Sequence, residues 1–211
     1  MSTPKPLLLT MGDAAGVGPE LIAMLFRDRP LLAERCVVVG DAAVLARARA
    51  CVGNTLLPTP LADLAAWAPV RGRMPLVQAT PATVPPLWGV ISAAAGRAAA
   101  DCITWATREA LAGRAAGVVT APIHKEALAA AGVPFPGHTE MLQALAADHL
   151  GLPVAQVPVR MMLANPELKT VLVSIHVSLR QAIAAVTHEN VLQTLRITAA
   201  HWARLGSPPP R

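Results

Sequence analysis

Short apolar runs alternate with longer, capped segments along this chain of 211 residues. The apolar runs predict short strands, at residues 7–10, 37–40, 74–77, 117–120, 160–164 and 170–175. The segments between and after them predict helices, at residues 19–26, 42–51, 92–111, 124–131, 139–150 and 189–205. Strands that alternate with helices favour a three-layer α/β fold with a largely parallel sheet.

Turn and capping residues mark the boundaries of these elements. Pro19 suits the first turn of a helix, where its missing N–H would be unpaired anyway. N-cap residues precede four further helices: Asp41, Ser92, Thr139 and Thr187. Asn165-Pro166-Glu167 between the last two strands predicts a hairpin. Residues 53–90 are Pro-rich and predict irregular structure around one strand.

Composition and charge narrow the class of protein. Hydrophobic residues make up 54% of the chain, which is typical of a globular protein. The net charge is +5 and the pI about 9.9, but the arginines are scattered singly, without runs or interleaved aromatics. The pattern therefore predicts a generally basic surface and argues against nucleic-acid binding. No apolar run is long enough for a membrane span or a signal peptide.

The three cysteines, Cys36, Cys51 and Cys102, are widely spaced and form no zinc-binding pattern. Small apolar packing in a reducing compartment accounts for them best. Together with the absence of a leader or membrane span, this predicts a soluble cytoplasmic protein without a membrane partner.

Three segments carry candidate chemistry where a strand gives way to a helix, since ligands bind there in open α/β sheets. Residues 11–20, Met-Gly-Asp-Ala-Ala-Gly-Val-Gly-Pro-Glu, form a Gly-rich turn that could meet an anion, but the spacing is not the dinucleotide fingerprint. Close packing of helix against sheet is the favoured interpretation. In residues 120–125, Thr-Ala-Pro-Ile-His-Lys, a helix-start Lys and a capping His are likewise favoured over a site for a phosphate or carboxylate.

The third segment contains His138 and Thr139, where an imidazole and free N–H donors at a helix start suit an anionic group. Thr139 as a simple N-cap is the alternative. His176 follows the last predicted strand. One histidine makes no metal site, because metals need about three protein ligands.

Taken together, these motifs resemble the 4-hydroxythreonine-4-phosphate dehydrogenase (PdxA-like) family through the whole chain. The most specific matches are residues 11–20, 120–128, 131–140, 161–164 and 176–180. Ala14 stands where the family usually has Pro. The resemblance implies the two-lobed α/β/α fold of isocitrate and isopropylmalate dehydrogenases, which lacks the dinucleotide fingerprint. The first lobe would span residues 1–130, and the second would begin in residues 131–211.

The resemblance also implies a reaction. The family oxidises the 3-hydroxyl of 4-phosphooxy-L-threonine with NAD or NADP, and decarboxylation then gives 3-amino-2-oxopropyl phosphate for pyridoxal 5'-phosphate biosynthesis. A divalent metal (Zn, Mg or Co) polarises the reacting oxygens. His138 and Thr139 match substrate-binding positions and His176 a metal ligand. No catalytic or cofactor-binding residue is assigned, and a homodimer is expected.

Length is the main departure from the family, whose members are considerably longer. The other metal histidines, further substrate contacts and much of the nucleotide site would lie beyond residue 211. We therefore expect a C-terminally truncated chain that is inactive by itself. Two alternatives stay open: a related dehydrogenase of another hydroxy acid or an aromatic cis-dihydrodiol, and a non-catalytic remnant that only binds a partner subunit.

Overall fold

The computed structural model of the protein describes residues 4–82 and 84–204. The chain divides into two compact units, Met1–Val154 and Ala155–Arg211. The unit boundary lies at residue 154, and the lobe boundary expected after residue 130 stays a prediction.

A five-stranded, fully parallel sheet forms the centre of the first unit, in the order β3-β4-β2-β1-β5. Its strands are β1 Leu7–Thr10, β2 Cys36–Gly40, β3 Pro58–Pro60, β4 Met74–Gln78 and β5 Gly117–Thr120. The α/β class and the four strands predicted in this unit are confirmed. Strand β3 was not predicted, because its two prolines argue against a strand except at a sheet edge, which is where it lies.

Among the described residues of this unit, six α-helices accompany the sheet: α1 Gly18–Asp28, α2 Pro30–Ala33, α3 Ala42–Cys51, α4 Ala93–Leu111, α5 Lys125–Ala130 and α6 His138–Leu150. The carboxylate of Asp41 accepts bonds from Ala43 N and Val44 N, and Ser92 caps α4, as predicted. Strand progression reverses after β3, so right-handed crossovers place α1 and α3 on one face of the sheet and α4 on the other. This gives the three layers.

The main hydrophobic core lies where helices cover the sheet. Val37, Val38 and Val39 of β2 are fully buried, as expected for a central parallel strand covered on both faces. Each such side chain contributes about 1.5–3 kcal/mol relative to an exposed one. A second cluster, which includes Ile103 of α4, Leu128 of α5 and Met141 of α6, holds those three helices together.

Two of the cysteines behave as predicted and one does not. Cys36 and Cys102 are buried, and burial raises the pKa of Cys102 to about 12. Cys51, by contrast, is exposed, because it is the last residue of α3 and faces away from the sheet's core. The packing interpretation is therefore wrong for Cys51.

The second unit contains the predicted hairpin, of β6 Met162–Ala164 and antiparallel β7 Lys169–Val171. The side chain of Asn165 accepts bonds from two backbone N–H groups of the turn. Helices α7 Leu179–Ala185 and α8 His188–Arg204 follow, with Thr187 bonded to Asn190 N as the predicted cap of α8. Residue 205, the predicted last residue of α8, lies outside the described residues. No described helix has the length and hydropathy of a membrane span.

Candidate functional site

The candidate site lies at the carboxyl ends of β1 and β5. These strands are neighbours, and the helices that follow them lie on opposite faces of the sheet, since α1 packs against α3 and α5 packs against α4. A ligand crevice is expected at such a point. The two segments that leave the strands touch, since Asp13 N donates to Pro122 O at 2.9 Å. Gly12, at φ 70°, passes so close that a Cβ there would lie 2.3 Å from Pro122 O.

The Gly-rich turn after β1 is built for close packing. Its Asp13 carboxylate accepts a bond from Ala15 N at 2.9 Å and so stabilises the turn internally. A Cβ at Gly18, the first residue of α1, would lie 2.3 Å from Met11 O. The packing interpretation is thus confirmed for Gly12 and Gly18, where an added side chain would meet backbone atoms.

Arg47 of α3 joins this turn to the following irregular segment. Its guanidinium donates to Ala14 O at 3.0 Å and also to Pro86 O, and it stacks 3.9 Å from the ring centroid of Trp88. Gly89 N donates to Ala15 O at 2.8 Å. The carbonyl groups of Ala14 and Ala15 therefore already accept hydrogen bonds from within the protein. Arg47 could not be predicted from the sequence, because a single arginine in a helix has no spacing that marks a role.

The segment after β5 contains His124, which begins α5 as its N-cap without a side-chain capping bond. Its Nδ1 atom is buried and has no hydrogen-bond partner in the described part of the chain, and the same holds for Oγ1 of Thr10 at the end of β1. Leaving a buried polar atom unpaired costs about 1–3 kcal/mol. Lys125 beside His124 is exposed. An unpaired polar atom thus lies at the end of β1, and another lies in the segment that follows β5.

His138 and Thr139 lie together in the first turn of α6. The helix begins at His138 with Gly137 as N-cap, so the prediction of Thr139 as N-cap is wrong. Gly137 is fully extended (φ −178°), and the helical backbone starts directly after it, two residues earlier than a Thr139 cap would place it. No side chain caps this helix, and its first N–H groups stay available to an anion.

The imidazole of His138 is half-buried, and its Nε2 atom is buried without a partner among the described residues. Burial lowers the pKa of His138, so the neutral ring predominates at pH 7. Met141, one turn further along α6, packs in the same cluster as Ile123, the neighbour of His124. This packing places the start of α6 near the segment that leaves β5.

His176 belongs to the second unit. The prediction that it lies at a strand end is wrong, because β7 ends at Val171. Leu172 N still donates to Met161 O, but the chain then bends and reaches φ 56° at His176, which no strand accommodates. Positive φ in a non-glycine residue is uncommon and often marks a functional position. The side chain is exposed. Among the described residues, no three His, Cys, Asp or Glu side chains converge as a metal site would require.

An apolar groove of about 200 Å³ opens between α1 and the β1–β5 pair. Its lining includes Leu21 and Leu25 of α1, Val119 of β5 and Pro122. Thr10 and Thr120 also line the groove, which contains no ionisable group, so its lining is mainly apolar.

Comparison with known proteins places this arrangement in a family. Residues 32–211 match the family model described as pyridoxal phosphate biosynthetic protein PdxA. The chain belongs to the PdxA family. A curated 4-hydroxythreonine-4-phosphate dehydrogenase from Beijerinckia indica is 40% identical over 98% of this chain and 58% of that protein. A D-threonate 4-phosphate dehydrogenase from Bordetella bronchiseptica is 37% identical over 95% of this chain and 56% of that protein.

A solved PdxA-family structure shows the same fold. The 4-hydroxythreonine-4-phosphate dehydrogenase of Klebsiella pneumoniae matches with a TM-score of 0.85 at 32% identity, over 98% of this chain and 62% of that one. The chain therefore spans less than two thirds of the length of each of these relatives.

Proposed function

We propose that this chain forms part of a cytoplasmic, homodimeric dehydrogenase that oxidises the 3-hydroxyl of 4-phosphooxy-L-threonine with NAD or NADP. Decarboxylation of the resulting β-keto acid would give 3-amino-2-oxopropyl phosphate for pyridoxal 5'-phosphate biosynthesis. Support comes from the family match over residues 32–211 and from the 40% identical relative that bears the enzyme's name.

We place the proposed substrate-binding site at the start of α6. An anionic substrate placed there would meet uncapped backbone N–H groups and the positive end of the helix dipole. The neutral imidazole of His138 has a buried Nε2 atom to pair, which can donate or accept one hydrogen bond. Thr139, half-buried in the same turn, adds a hydroxyl. His138 and Thr139 would thus bind and orient the substrate.

A divalent metal, Zn, Mg or Co, would polarise the reacting oxygens in this family reaction. The described residues do not by themselves make such a site, because no three potential ligands converge. His176 would supply one ligand, since its imidazole is exposed and its backbone is held in an uncommon conformation. The remaining ligands would come from outside the described residues.

A second substrate is favoured by a specific comparison. The relative from Bordetella bronchiseptica, 37% identical, is named for D-threonate 4-phosphate. That compound has a hydroxyl where 4-phosphooxy-L-threonine has an amino group, and both bear a phosphate that suits the start of α6. The two proposals therefore share one phosphate site and differ in the group at the substrate's second carbon.

Calorimetric titration with each phosphorylated acid tests the binding step. We expect the 211-residue chain to bind the preferred acid, and His138→Ala to weaken binding without changing the melting temperature. His149→Ala, an exposed histidine at the other end of α6, is the matched control. If His138→Ala lowers the melting temperature and leaves affinity intact, His138 has a structural role only.

Turnover should be measured on the longest product of the gene. Sequencing downstream of codon 211 defines that product. NAD(P)H formation with each acid and added divalent metal then separates the two substrates. Equal inactivity with both acids, in a product that binds cofactor, would overturn the proposed function. Light scattering on the same sample tests the dimer.

A further inference from the structure

Two adjoining cavities lie at the opposite edge of the sheet from the candidate site. The larger, about 280 Å³, is lined by the end of α1, by residues 53–56 and by Val70, Gly72 and Arg73. The smaller, about 180 Å³, contains Trp67. Both border on the segments that lead into β2 and β4, so they lie at the amino ends of the strands. Together they reach the roughly 300–1,000 Å³ range of small-molecule sites.

Arg73 lies at the junction and lines both cavities, as does Glu34. The Glu34 carboxylate is paired with the exposed guanidinium of Arg71, which counters its charge. Arg27, in the larger cavity, is paired with Asp28 at 2.6 Å and also donates to Val52 O. Arg73 is exposed and has no ion pair or hydrogen bond within the described residues. The junction therefore has one uncompensated positive charge.

Trp67 gives the smaller cavity an aromatic wall. It is half-buried, packs against the main hydrophobic core, and ends the short 3₁₀ turn Leu64–Ala66 with its N–H bonded to Leu64 O at 3.1 Å. A ring held in this way loses little freedom when a planar ligand stacks on it. Trp67 and Arg73 thus offer a stacking surface and a planar, multidentate cation side by side.

We propose that these cavities form a second ligand site, which binds a small aromatic ring bearing a phosphate group. The ring would stack on Trp67, and the phosphate would accept charge-assisted hydrogen bonds from Arg73. The site does not depend on the proposed dehydrogenase activity, since it uses no residue of the β1–β5 edge or of α6.

Phenyl phosphate is the probe that tests this site on the 211-residue chain. Calorimetry should show saturable binding of one equivalent, with inorganic phosphate and phenol each binding at least about tenfold more weakly, because each lacks one of the two contacts. Binding of inorganic phosphate as tight as that of phenyl phosphate, or no saturable binding of phenyl phosphate, would overturn the proposal.

Two arginine variants test whether the phosphate group of the ligand contacts Arg73. Arg73→Gln should weaken phenyl phosphate binding roughly tenfold or more, since hydrogen bonds to charged groups are the strong ones. Arg108→Gln, an exposed arginine at the end of α4, is the matched control. Equal affinities of the two variants would contradict the assignment to Arg73.

Tryptophan fluorescence gives a second, independent readout, since it reports which tryptophan the bound ring contacts. Phenyl phosphate should quench tryptophan emission, and Trp67→Phe should remove that quenching whereas Trp88→Phe should keep it. His138→Ala should leave phenyl phosphate affinity unchanged, which distinguishes this site from the start of α6. A loss of binding in His138→Ala would instead place the probe at α6 and refute the second site.

Discussion

The guanidinium of Arg47 lies 3.9 Å from the ring centroid of Trp88, and this stack ties an otherwise exposed segment to the Gly-rich turn. Leu87 next to the stack is 76% exposed, so apolar burial does little to hold the segment there. The bonds from Arg47 to Ala14 O and Pro86 O therefore anchor it.

Replacing Arg47 should loosen this segment. We expect Arg47→Ala to lower the free energy of unfolding by about 2 kcal/mol, since it removes a cation–π contact and charge-assisted hydrogen bonds. Urea unfolding measures the loss, and limited proteolysis should show faster cleavage within residues 84–91. Arg108→Ala, at an exposed position, should do neither. Unchanged proteolysis in Arg47→Ala would show that other contacts hold the segment.

Gly12 should be far less tolerant of a side chain than Gly132, although both have φ near 70°. Gly132→Ala should cost roughly 1–2 kcal/mol, the cost of a left-handed backbone, because a Cβ there meets nothing within 4 Å. Gly12→Ala adds a clash with Pro122 O, and overpacking costs roughly 1–3 kcal/mol more. If urea unfolding shows equal losses of free energy of unfolding in the two variants, the segments that follow β1 and β5 can move apart at little cost.

Stability should fall below neutral pH through His138. Burial lowers its pKa below the ordinary 6.5, so the unfolded state binds more protons between the two values. The free energy of unfolding therefore loses His138's contribution as pH drops below about 6.5 and keeps it above. His138→Gln should flatten this dependence between pH 5 and 7, whereas His149→Gln, at an exposed position, should leave it in place.

His176 should contribute to metal affinity in a gene product that holds the remaining ligands. His176→Ala should weaken divalent-metal binding by more than the roughly 10–100-fold caused by losing an outer partner of a ligand. Calorimetry with zinc measures this, and His201→Ala, an exposed histidine of α8, is the control. Affinity within about threefold of the parent protein would exclude a ligand role.

The elements with strong local signals were predictable and those set by tertiary contacts were not. Asp41 and Ser92 cap helices as expected, because a capping side chain acts on the backbone two or three residues away. The edge strand β3 exists only through its pairing with β4, and its prolines concealed it. Thr139 failed as a cap because an extended glycine can begin a helix without side-chain help.

Local sequence signals likewise predicted some residues of the candidate site, but not the features of the site that depend on packing. His138 could be found because Gly-His-Thr precedes an apolar helical run, but its burial and its lowered pKa depend on packing between α4, α5 and α6. His176 matched a family motif, whereas its positive φ could not be predicted from a segment that resembles a strand. The Arg47–Trp88 stack joins residues 41 positions apart, and no local pattern indicates it.

The near absence of buried side chains in the second unit bears on how the protein opens. Within its described side chains only Thr194 is buried, whereas the first unit buries whole strands. Its hairpin and helices therefore have little apolar burial of their own to oppose local unfolding. Backbone amides of β6, β7 and α7 should exchange with deuterium through low-energy openings, while those of β2 exchange only when the entire sheet unfolds. Thermal melting then reports on the sheet and is nearly blind to the segment that contains His176.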